Sequence, residues 1–110
     1  MKKTIPVLIT ALLFSCVFRN NRVAVINRSG SELRDVTVSV CDSTWRIPLL
    51  EPGEEKLFTA VYTRDDHFTV EHGDTVENFG YVTHGISGEF AEIVFTPSGI
   101  AFQQTGSSEY

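Results

Sequence analysis

Leu33-Arg34-Asp35-Val36-Thr37-Val38-Ser39-Val40-Cys41-Asp42-Ser43-Thr44-Trp45-Arg46-Ile47-Pro48-Leu49 decides the fold class. Val36, Val38 and Val40 alternate with Thr37, Ser39 and Cys41, which on an extended chain puts the three valines on one face. Asp42-Ser43 supplies turn chemistry, and Trp45, Ile47 and Leu49 resume the alternation with Arg46 and Pro48 on the other side. Working outward, Arg22 to Asn27 alternates weakly, and further runs centre on Phe58, Ala60 and Tyr62, on Phe68 and Val70, and on Thr75 to Thr83. Ala91, Ile93 and Phe95 alternate with Phe90, Glu92 and Val94, so this run is apolar on both faces and predicts a central strand. Ile100 and Phe102 offer a short last strand. Turn-forming clusters separate the runs at Asn27 to Gly30, Glu51-Pro52-Gly53-Glu54, Asp65-Asp66, Gly73-Asp74, Gly85 to Gly88 and Pro97-Ser98-Gly99. Outside the first fifteen residues no window has the 3.6-residue period of an amphipathic helix. The chain therefore reads as all-β: a β-sandwich of seven or eight short antiparallel strands, with a small β-barrel as the alternative closure.

The first sixteen residues carry a different message. Lys2 and Lys3 precede an apolar segment from Ile5 to Phe14, ten residues long, which has the layout of an export signal and is shorter than the roughly 20 apolar residues that a spanning helix requires. Leu13-Phe14-Ser15-Cys16 resembles the lipobox of bacterial lipoproteins. The resemblance implies cleavage before Cys16, lipid on its thiol and stable anchoring by several acyl chains. It divides the chain into a signal peptide at 1–15, a lipidated N-terminus and short linker at 16–21, a β-sandwich domain at 22–103 and a flexible tail at 104–110. Val17 is not the aspartate that commonly retains lipoproteins at the inner membrane, so the expected location is the outer membrane, facing the periplasm. A secreted or soluble periplasmic chain is the alternative.

A second resemblance lies inside the domain. Val25-Ile26-Asn27-Arg28-Ser29-Gly30-Ser31-Glu32-Leu33-Arg34-Asp35-Val36-Thr37-Val38, followed by Leu50-Glu51-Pro52-Gly53-Glu54 and Phe58, resembles the immunoglobulin-like modules of the FxLYD and CARDB type found in exported bacterial proteins. It implies an immunoglobulin-like sandwich and a binding or structural role. The local physics agrees, since Gly30 and Gly53 tolerate positive φ and Pro52 pre-sets a turn.

Charge narrows the partners. Of nine lysines and arginines, Lys2 and Lys3 leave with the signal, and the remaining seven face fourteen acidic side chains. Residues 16–46 hold five arginines against Glu32, Asp35 and Asp42, while residues 47–110 hold only Lys56 and Arg64 against eleven acids. No basic patch exists to bind nucleic acid. Arg19 and Arg22 lie nearest the anchor, where anionic headgroups attract cations. The acidic remainder suits solubility or a cationic protein partner.

Candidate chemistry is sparse. His67 and His72 flank a predicted strand at opposite parity, which points them to opposite sheet faces, and His84 opens a glycine-rich loop. The expectation is no metal, no cofactor and no enzyme. Ser87 in Gly85-Ile86-Ser87-Gly88-Glu89 lacks the strand-turn-helix context of a nucleophile elbow, and Asp65-Asp66 and Glu54-Glu55 read as solvated turn charges. Cys41, left alone once Cys16 carries lipid, has the parity of Thr37 and Ser39, away from the valines; an inert thiol and an intermolecular disulfide both stay open. Trp45, Phe58, Phe68, Phe90 and Phe95 are the expected aromatic core. Phe79 to Gly88 combines flexible glycines with Tyr81, His84 and Ile86, which makes those three the candidate partner-binding loop. The leading reading is a non-enzymatic, membrane-anchored envelope lipoprotein whose sandwich binds a protein partner, through this loop or an unpaired sheet edge, or serves a structural role. An acidic inhibitor of a cationic periplasmic hydrolase such as lysozyme is the alternative.

Overall fold

The alternating runs fold into eight strands in the computed structural model, which describes residues 20–106. They are β1 Asn21–Asn27, β2 Leu33–Val40, β3 Ser43–Leu50, β4 Glu55–Ala60, β5 Asp66–His72, β6 Thr75–Val82, β7 Phe90–Thr96 and β8 Gly99–Thr105. The expected signal segment and Cys16 lie outside the described residues, as do residues 107–110 of the expected tail. No helix among the described residues is long and apolar enough to cross a membrane.

Two four-stranded sheets form, in the orders β4-β1-β7-β8 and β3-β2-β5-β6, and they pack face to face as a sandwich without closing into a barrel. The run that is apolar on both faces, β7, is central as its pattern predicts. One pairing departs from the antiparallel expectation: β1 and β7 are parallel, with Val23 opposite Ala91 and Val25 opposite Ile93. The reason is connectivity. The chain crosses from β6 into β7 through residues 83–89 at the same end of the sandwich where β1 begins, so both strands run away from that end.

The inner faces carry Val23 and Val25 of β1, Val36, Val38 and Val40 of β2, Phe68 and Val70 of β5, and Ala91, Ile93 and Phe95 of β7, all buried. Aromatic pairs close the two open sides. Trp45 of β3 stacks on Phe58 of β4 with centroids 4.9 Å apart, and Phe79 of β6 stacks on Phe102 of β8 at 5.8 Å. Phe90 is a correction to the expected core: its parity is that of Glu92 and Val94, and it lies half-buried on the outer face with the Arg22 guanidinium 5.3 Å above its ring. The weak alternation of β1 also finds its cause. Ala24 and Ile26 face outward yet are buried, because a strand flanked on both sides is covered by its neighbours' side chains as well as by the core.

Both ends of β1 are buried asparagines. The Asn27 amide donates to the carbonyls of Ser31 and Leu50, each at 2.8 Å, and its oxygen accepts from the Ser29 N–H at 2.9 Å and the Ser29 hydroxyl at 2.7 Å. Two donors and two acceptors are thereby satisfied, the full capacity of the group. Next to it, Pro52 and Gly53 form a turn closed by the Glu54 N–H on the Glu51 carbonyl. Gly53 has φ 82°, donates to the Asn27 carbonyl at 2.7 Å, and is followed by Glu54, whose carbonyl accepts the Asn27 N–H at 3.0 Å. That is the pattern of a glycine-led bulge.

The domain also extends past its expected limits. Asn21, placed in the linker by its polarity, is the first residue of β1 and is buried. Gln103 to Thr105, expected at the frayed boundary, complete β8. The Gln104 side chain accepts from the Tyr81 N–H at 3.2 Å and donates to the Tyr81 carbonyl at 3.1 Å, so an amide side chain does the work of a neighbouring strand. This needs Gly80, where an added Cβ would sit 2.4 Å from Gln104 Oε1.

Val38→Asp is expected to leave the domain unfolded at room temperature, because an unpaired carboxylate on the inner face costs several kcal/mol against a typical stability of about 5–15 kcal/mol; Thr37→Asp, on the outer face, should cost under about 1 kcal/mol. Equal tolerance in urea denaturation would overturn the facing of β2. Asn27→Ala should cost about 2 kcal/mol or more, since it leaves the buried Leu50 carbonyl without its donor and removes the bonds to Ser29 and Ser31, and a loss under about 1 kcal/mol would contradict its role.

Candidate functional site

The candidate loop stands at the end of the sandwich where β1 begins, together with the two-residue turn Cys41-Asp42 and the connection 61–65. Asn21 fixes it there. The Asn21 amide donates to the Ile86 carbonyl at 2.9 Å and its oxygen accepts the Glu89 N–H at 2.9 Å. Arg22 N–H then donates to the Glu89 carbonyl at 2.9 Å, and Gly85 N–H to the Tyr62 carbonyl at 3.0 Å. The loop is a held connection between the sheets.

Of the three expected contact residues, two come together and one turns away. Tyr81 is 61% exposed, and its hydroxyl donates to Asp65 Oδ2 at 3.1 Å. His84 is exposed, and its backbone N–H donates to Asp65 Oδ1 at 2.9 Å. Asp65 therefore clasps both, and the two donors, His84 N–H first and the Tyr81 hydroxyl second, hold its carboxyl below the usual aspartate value. Ile86 is half-buried and packs against the core, so its side chain is not at the loop tip. Sequence reading placed Asp65 among solvated turn charges and missed the clasp; its partners lie sixteen and nineteen residues away.

A second network binds the neighbouring turn. Cys41 N–H donates to Asp66 Oδ2 at 2.8 Å, and the Cys41 thiol donates to the Arg64 carbonyl at 3.2 Å. Arg64 pairs with Asp42 at 2.7 Å and donates to the Cys41 carbonyl at 2.9 Å. The guanidinium, and after it the Thr63 hydroxyl, lowers the Asp42 pKa. Contrary to its parity, Cys41 packs against the core. It is the first central residue of a tight turn with φ 53°, and that backbone rotation carries the side chain off the strand's alternation. Beneath the network, Tyr62 is buried with no hydrogen-bond partner for its hydroxyl among the described residues. Burial first, and the nearby Glu89 carboxylate second, push its pKa up.

The histidines stay apart. His67 is exposed, whereas His72 is half-buried, 3.3 Å from Glu77 and edge-on to the Phe95 ring at 5.2 Å. Among the described residues no three of histidine, cysteine, aspartate or glutamate gather to hold a metal ion. What the end where β1 begins offers is a fixed polar surface bearing Tyr81 and His84, with Val61 beside it, 58% exposed.

No family model matches the chain, and no curated protein matches it. Among solved structures it is similar to the N-terminal domain of AlgF from P. aeruginosa, at 18% identity over 80% of this chain and 93% of that one, with a TM-score of 0.50. It is also similar to a protein from Eubacterium rectale, at 11% identity over 81% of this chain and 91% of that one, with a TM-score of 0.47. At 18% identity the likeness to the AlgF domain is one of fold: a small β-sandwich module.

Because the Asp65 clasp favours the carboxylate, its contribution is complete above the ordinary aspartate value of 3.8 and is lost as pH falls through the lowered value of the folded state. The side-chain carboxyl carbon resonance of Asp65 should titrate with a midpoint below 3.8, and the Tyr81→Phe variant should move that midpoint upward. A midpoint above 3.8 would contradict the clasp.

Proposed function

We propose that the chain is a membrane-anchored envelope lipoprotein whose β-sandwich is a protein-binding module held close to the lipid. The observation that carries this reading is the start of β1 at Asn21, which is buried and bonded to the loop 83–89. With lipid on Cys16, only four residues, Val17 to Asn20, separate the anchor from the rigid body. Extended, they reach roughly 14 Å. A strap so short fixes orientation as well as distance.

The consequence concerns the loop. The turn 41–42, the connection 61–65 and the loop 83–89 share the end from which β1 starts, so in the anchored protein they face the bilayer. Tyr81 and His84 then lie toward the headgroups, where Arg22 also sits. The turns 28–32, 51–54, 73–74 and 97–98 face away. Partner contacts therefore belong to the flanks and to this far end.

The inhibitor reading has one observation in its favour: the turns that face away carry Glu32, Glu51, Glu54 and Asp74 against Arg28. It implies capture steered by charge, with an association rate that falls steeply as salt rises. A flank contact built on apolar and backbone groups keeps its rate.

Cys16→Ala should leave unprocessed precursor and abolish the lipid-dependent membrane fraction; a normally processed, membrane-bound Cys16→Ala protein would overturn the anchor. Orientation has its own readout. A fluorescent amino acid placed at Ser87 of the native lipoprotein should be quenched by spin-labelled headgroups several-fold more than one at Ser98, and equal quenching would overturn the membrane-facing placement of the loop.

A further inference from the structure

We draw no further inference here: the strongest candidate, the open side of the sandwich where the edges of β3 and β4 flank the Trp45–Phe58 stack, carries nothing, because nothing among the described residues shows what covers it.

Discussion

Everything in this sandwich hangs from β1, and β1 is held at both ends by a buried asparagine. A carboxamide with four hydrogen-bonding sites costs little in a core only when every site finds a partner. Asn27 satisfies that condition with Ser29, Ser31 and Leu50, which ties the β1–β2 crossing to the end of β3. Asn21 fills three of its four sites at the other end, with Ala60, Ile86 and Glu89, which ties the β6–β7 crossing to the start of β1. Since β1 lies between β4 and β7, fixing its ends fixes the register of the whole first sheet.

The same bonds hold the loop 83–89 in place. A segment with three glycine and serine positions, Gly85, Ser87 and Gly88, invites the reading of a mobile recognition loop, yet its carbonyl at Ile86 and N–H at Glu89 are held by Asn21, and the N–H of His84 by Asp65. Its tension lies between two readings of one sequence. The proposed anchor at Cys16 and a partner surface at Tyr81 and His84 would share the end of the body where β1 begins, and four residues between Cys16 and Asn21 would leave little room for both.

The strands were legible because side-chain alternation is a local property: Val36, Val38 and Val40, or Ala91, Ile93 and Phe95, reveal their facing without knowledge of any partner. What was not legible depends on residues distant in sequence. Cys41 and Ile86 turn toward the core because tight turns rotate them, whereas the outward facing of Phe90 follows from its own parity with Glu92 and Val94. Gln104 reads as tail by polarity, and only its reach to Tyr81 makes it structural. Within the candidate loop, the sequence marked Tyr81 and His84 correctly as exposed and missed Asp65, whose neighbours in sequence gave it the look of an ordinary turn acid.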